Sequence, residues 1–443
     1  MRGRSAGRAG VRGTAALAIG VLGLGLAACG PAERTSTTAK KPEPVARATQ
    51  GHAQVPVPRG EGDGDVPDDF NGDGRRDLVL NDLVKSESHA DDAGIGIVYG
   101  TEDGLDPGAR QLLSPAEQAA PTDGVLPAVF EAEESCDLDG DGFTDLVVST
   151  DPPYDGQGQP PVPLQLLFGS PAGLTGRAVT LDVPARARAG NDWPDQPVCG
   201  DFDGDGADDL VLHASASRLT YLRGPFTRDG APRAADAPLA APGSVPTGPA
   251  VDVNGDGYDD LLVREDGDAS PSSVVYGGPS GPARTGFALP AGVDVAFGSF
   301  GGERDVLDAA VGSQDGTALR YDLTGPTVTT QAALDVPGTV LDAGDLDGDG
   351  YAELVTGGTE LRVFQGRTKG LTASGVVTVD PPAEGTTRVL AVGDFTGDGL
   401  ADLAVRTYRG ETEDTVAVYA GRREGVVDPA PVVTFSTAEF LVS

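Results

Sequence analysis

The chain has 443 residues, 65 of them glycine and 35 proline, and its 68 Asp+Glu against 32 Lys+Arg give a formal charge of −36. That balance argues against a nucleic-acid partner, because phosphate contacts need a basic surface. The glycines and prolines follow no collagen period, and the length leaves room for one large core or for two or three ordinary domains.

The first 28 residues read as a leader. Arg2, Arg4, Arg8 and Arg12 form a positive start, and Thr14–Ala28 is an apolar stretch of signal-peptide length. It is short of the roughly 20 apolar residues a membrane-spanning helix needs. It ends Leu26-Ala27-Ala28-Cys29, with small residues before a cysteine. This resembles a bacterial lipobox. The resemblance implies cleavage before Cys29, a diacylglycerol on its thiol, and an extracytoplasmic protein held at the membrane by that lipid. The alternative is an ordinary secretory signal followed by a chance cysteine. Losing the four leader arginines takes the formal charge from −36 to −40. Residues 29–65 are rich in Thr, Lys, Pro, Ala and Gly without apolar periodicity, and read as a flexible tether.

From residue 66 to 443 one acidic motif recurs. Cys136 leads into Asp137-Leu-Asp139-Gly-Asp141-Gly142, then Asp145 and a β-type run. The same frame holds Asp69, Asn71, Asp73 and Asp77; Asp201, Asp203, Asp205 and Asp209; and Asp252, Asn254, Asp256 and Asp260. It returns with Asp345, Asp347, Asp349 and Glu353, and with Asp394, Thr396, Asp398 and Asp402. A degenerate seventh copy, Gly298 to Val311, keeps the apolar flanks but has Ser299 and Gly301 where the others carry acids, and one extra residue before Asp308.

A second mark, of the type YGTEDGL or FGSPAGL, begins at Tyr99, Phe168, Tyr276, Phe364 and Tyr419. Each unit reads as four strands; the last runs RVLAVGDF, DLAVRT, TVAVYAG and PVVTFS. Seven such units predict an all-β, seven-bladed β-propeller, with an open β array or two smaller β domains as the alternatives.

Carboxylates at positions 1, 3, 5 and 9, with a glycine at 6 for the turn, aim oxygens into one small volume. Mutual repulsion is relieved by a hard divalent cation, and Ca²⁺ accepts six to eight oxygens in flexible geometry. The loop lacks the bidentate Glu at position 12 and the flanking helices of an EF-hand; Val148 stands there in the second repeat. The expectation is therefore about six Ca²⁺ sites in hairpin loops, held by the motif residues named above. A solvated acidic turn is the bland alternative for any single copy.

These loops with the YG…GL marks resemble the FG-GAP/VCBS repeats of integrin α-chain propellers and of many bacterial exported proteins, over about Asp69 to Phe435. The resemblance implies seven blades with calcium between the first and second strands of a blade. It also implies that the fifth repeat binds none, and that Asn71, Asn254 and Thr396 weaken their loops.

Cys136 and Cys199 each lie just before an acidic loop in neighbouring repeats, and a disulfide is permitted outside the cytoplasm. Their registers differ by one residue, which could turn the side chains apart. His52, His89 and His213 form no catalytic spacing, so no enzyme is expected. The calcium loop and the YG…GL turn must emerge on one face. The longer connections emerge on the other: Asn81 to Gly94, Asp106 to Ala128, Ser149 to Val162, Asp182 to Pro197 with Trp193, and Thr407 to Asp414. That face is where a protein or glycan ligand is expected. A polysaccharide-acting, lyase-like propeller and a structural role in envelope assembly are the alternatives.

Overall fold

The computed structural model describes residues 51–441, apart from 63–65, 89–92, 154–161, 216, 266–269, 326–329 and 358–359. The leader, Cys29, His89 and part of the Ser149–Val162 connection lie outside the described residues. From Leu78 to Phe435 the chain makes seven antiparallel sheets in sequence order, the blades of a propeller, and a small hairpin of Gly421–Arg422 with Val426–Val427.

Blade 2 shows the plan with Val129–Cys136, Asp145–Asp151, Gln165–Leu167 and Val179–Thr180. Blades 4 to 7 repeat it, opening with Val245–Val251, Asp294–Gly298, Val340–Gly344 and Thr386–Gly393. Blade 3 opens with Asp195–Gly200 and splits its outer strand into Ala234–Ala235 and Leu239–Ala240. The opening strands of blades 2, 3 and 4 pack in series, as do those of blades 5, 6 and 7, so they line the axis.

The motif's apolar run has a simple cause. A blade is covered on both faces, and side chains on a strand alternate between faces. Leu146 and Val148 join the core shared with blade 1, while Val147 joins the core shared with blade 3. Leu210 and Leu212 face blade 2, and Val211 faces blade 4. Seven apolar clusters result, one for each pair of neighbouring blades. The one that joins blade 7 to blade 1, with Ala404, Val416, Val418, Leu78, Leu80 and Val98, closes the ring.

Closure is reinforced by a buried latch. Arg406 is 1 % exposed, pairs with Asp414 at 2.7 Å and donates to the carbonyls of Asn81 and Asp82. Cys136 and Cys199 form a disulfide between the axial strands of blades 2 and 3. The one-residue offset in register does not prevent it, since the two Cα atoms lie 6.6 Å apart.

Three sequence expectations are corrected. Among the described residues blade 1 has three strands, Leu78–Leu80, Ile95–Thr101 and Gly104–Leu113, and no axial strand. The chain before it turns away at Asp68, whose φ is 58°. The amides of Gly60 and Gly62 donate instead to Asn71 and Gly72 on the first loop, and that of Val55 to Gly108, so this part of the expected tether is held by backbone bonds. Residues Asp106–Leu113, read as connection, belong to the outer strand of blade 1.

Candidate metal centre

Each acidic loop is built by its own carboxylates. In blade 2, Asp137 Oδ1 accepts the amides of Gly140 and Asp141 at 2.8 and 3.1 Å, and Oδ2 accepts that of Gly142 at 2.7 Å. Asp141 Oδ1 accepts the Phe143 amide at 3.2 Å. The first acid plays the same part at Asp201, Asp252, Asp345 and Asp394, and at Asp69. The turn needs two glycines. Gly140 and Gly142 have φ of 74° and 85°, a region most L-residues avoid. The reading of the motif had assigned this role to the second alone.

The ninth position does something else. Asp145 is fully buried; its Oδ2 accepts the Leu138 amide at 3.0 Å and its Oδ1 the Gly169 amide at 2.8 Å. It ties the loop to the end of the third strand. Asp77, Asp260, Glu353 and Asp402 make the same pair of bonds. Asp209 accepts from Gly224 and from the Tyr221 hydroxyl. In blade 5 the first and third acids are replaced by Ser299 and Gly301, yet Asp308 still clamps Gly301 and Asp322 at 2.9 and 2.8 Å. The ninth acid is therefore architectural as well as a candidate ligand.

Three loops bring acid oxygens together. Asp137, Asp139 and Asp145 each offer an oxygen within 4.8 Å of the others; so do Asp201, Asp203 and Asp209, and Asp345, Asp347 and Glu353. These clusters can hold a metal ion. The loops of blades 1, 4 and 7 carry Asn71, Asn254 or Thr396 at the third position. There Asn71 donates to Pro58 O at 3.2 Å, and Asn254 to Asp260 Oδ2 at 3.4 Å.

Two features test whether a cation fits. Buried oxygens lack any hydrogen-bond partner at Asp139 Oδ1, Asp203 Oδ1, Thr396 Oγ1 and Asp73 Oδ1. A buried acceptor left unpaired is expensive, and these all belong to the loops. Burial, with neighbouring acids adding, also disfavours the charged forms. It pushes Asp145 and Glu353 up to about 8, Asp209 and Asp260 to about 7, and Asp139 to about 6. A divalent cation would satisfy the orphaned oxygens and favour the ionised carboxylates.

The sequence reading missed two groups of residues here. Arg228, on the outer turn of blade 3, reaches across to blade 2, its Nε 2.7 Å from Asp139 Oδ2 and its guanidinium also paired with Asp141. Arg223 and Arg233 approach Asp203 at 3.5 and 3.6 Å, and Arg233 also pairs with Asp205. Asp208 and Asp259, one residue before the ninth position, accept the first-position amides of the preceding blade, Asp137 and Asp201, at 3.1 and 2.9 Å. The extra acids beside the motif were visible as charge; their pairing across blades was not.

The histidines are engaged elsewhere: His52 with Glu439 at 3.2 Å, and His213 with the Ser244 carbonyl.

Residues 345–405 match the FG-GAP-like repeat family. That stretch holds the acidic loop of blade 6 and runs through that of blade 7 into the second strand of blade 7. No curated protein matches the chain. Among solved structures, a lectin of Agrocybe aegerita, described as recognising non-reducing terminal N-acetylglucosamine, is similar at 15 % identity and a TM-score of 0.48, covering 82 % of this chain and 89 % of that one. The Vibrio cholerae biofilm matrix protein Bap1 is similar at 11 % identity and a TM-score of 0.38, covering 85 % and 92 %.

Proposed function

We propose that this chain is a calcium-stabilised propeller that works as a binding module outside the cytoplasm, attached to the membrane through lipid on Cys29. The observation that carries the calcium reading is the orphaned third-position oxygen, Asp139 Oδ1 and Asp203 Oδ1, buried inside an acid triad. In blade 2 the ion would be held by Asp137, Asp139, Asp141 and Asp145, and in blades 3 and 6 by Asp201, Asp203, Asp205 and Asp209 and by Asp345, Asp347, Asp349 and Glu353. The loops of blades 1, 4 and 7 are the weaker three of about six sites. Calcium supplies charge neutralisation and a cross-link, nothing more. The chain's own residues do the rest. The first acid shapes the turn, the ninth pins it to the third strand, and both stay where an ion can bind the folded loop far better than the open chain.

Ligand binding is assigned to the face opposite the acidic loops. The connection between blades 1 and 2 emerges there and exposes Val125 and Leu126. The connection between blades 2 and 3 also emerges there and carries Trp193, stacked at 5.8 Å on Arg188. Loops on a rigid scaffold can vary without disturbing it. The ligand class is a protein or a glycan, and no reaction is assigned. Calcium titration by calorimetry tests the first half: three or more ions per chain are expected, and none would overturn it. Screening immobilised glycans and surface proteins, with a deletion of residues 121–126 as the control, tests the second; binding untouched by the deletion would overturn the face.

A further inference from the structure

Among the described residues six of the seven blades place a strand on the axis, and blade 1 does not. A cavity of about 300 Å³ lies in that place. One wall is the axial strand of blade 7, at Leu390 and Ala391; the opposite wall is that of blade 2, at Ala132 and Glu134. Its floor is Leu78–Leu80, which pairs on one side only, with Ile95–Thr101. The second strand of every other blade pairs on both sides.

The cavity has fixed ends. Asn81 donates its side-chain amide to Ala132 O at 2.8 Å and accepts the Ala132 amide at 2.9 Å, bridging to blade 2. At the other end Arg76 donates to Val392 O of blade 7 at 3.0 Å and pairs with Asp68 at 2.9 Å. With the Arg406 latch, these bridges keep the ring closed without the missing strand.

We propose that this gap receives an extended, cationic segment of a partner protein, which completes blade 1 by pairing antiparallel with Leu78–Leu80. Three observations define that partner. A strand edge with a single neighbour offers backbone groups to an added strand. Next to the acidic loops the axial strands are tightly packed: a Cβ on Gly344 would stand 2.7 Å from Val392 Cγ1, and one on Gly298 would stand 2.8 Å from Ala352 Cβ, so a small residue is needed at that end of the segment. Around the gap Asp68, Glu133 and Glu134 outnumber the lone cation Arg76. Burial pushes Glu134 up to about 8, and a lysine or arginine beside it would hold it ionised. The segment is thus short, extended, small at its end near the acidic loop, and carries Lys or Arg. This inference does not depend on the calcium reading or on the opposite-face reading.

The probe is a fluorescein-labelled octapeptide with the sequence of the blade 7 axial strand, TTRVLAVG, added to the calcium-saturated full chain. Saturable anisotropy with a Kd below about 100 μM is expected. The Ala391→Trp variant fills the gap and should weaken binding by about tenfold or more, and Glu133→Lys by about threefold to tenfold. An unchanged melting temperature confirms that each variant is folded. Hydrogen exchange should show new protection at Leu78–Leu80. No binding at about 1 mM peptide would overturn the proposal. So would binding that Ala391→Trp leaves intact, or protection at Asp402–Tyr408, which would mean that the peptide had displaced the blade 7 strand.

Discussion

Blades 2 and 5 have the same four antiparallel strands and the same buried plug at the second loop position, Leu138 in one and Phe300 in the other, both at 0 % exposure. Both hold a buried carboxylate that clamps the loop to the third strand, Asp145 and Asp308. They differ at the first and third loop positions: Asp137 and Asp139 in blade 2, against Ser299 and Gly301 in blade 5. The difference separates two functions that one motif superimposes. The ninth acid and the plug make a blade; the first and third acids make an ion site.

The largest test of that separation is removal of calcium. Each ion at about 1,000 times its Kd contributes about 4 kcal/mol to the folded state, so chelation should lower the melting temperature by more than about 10 °C. Hydrogen exchange after chelation should rise across 137–145, 201–209 and 345–353 and stay level across 299–308. Equal loosening of blade 5 would break the comparison.

Next is the clamp. Asp145→Ala and Asp308→Ala each strand two buried amides, which should destabilise the chelated protein by about 2–4 kcal/mol in denaturant unfolding. With calcium present, Asp145→Ala should lose more and Asp308→Ala should not. A smaller effect is expected from Asp139→Ala. It removes an acid that Arg228 partly neutralises, so in chelator its stability should stay within about 1 kcal/mol of the parent, while calcium titration shows one site lost.

The last effect is in pH. Burial pushes Asp308 up to about 6 from an ordinary value of 3.8, so between those values the folded state binds more protons than the unfolded one. Stability from this group is therefore full below about 4 and falls as pH rises to about 6, by about 3 kcal/mol. Asp308→Asn should flatten that part of the stability profile in chelator, even though it lowers stability throughout. A profile with the same slope in the variant would assign the pH dependence to other groups.

Much of the molecule was legible in its residues. The spacing of seven motifs marked the blades, and the alternation in runs such as Leu210-Val211-Leu212 marked strands buried on both faces. The strands of the last blade match Thr386–Gly393, Asp402–Tyr408, Asp414–Tyr419 and Val433–Phe435. What could not be read were relations between distant segments. Arg228 lies 87 residues from Asp141, and Arg406 lies 325 from Asn81. Nothing local in the turn that carries Arg228 points to the acids of the preceding blade. The missing strand of blade 1 was hidden for the opposite reason. Its loop is intact, so the sequence implied a whole blade.

The sequence by itself therefore determined the repeat, the strand pattern and the turn chemistry. Each rests on local rules: two-residue alternation, glycine at positive φ, and acids spaced to converge within nine residues. The tertiary structure alone decided which oxygens are left unpaired, which arginines meet them, that Cys136 reaches Cys199, and that one place on the axis has no strand. Those follow from how neighbouring blades pack around a closed ring, where burial and partner are set by residues far away along the chain.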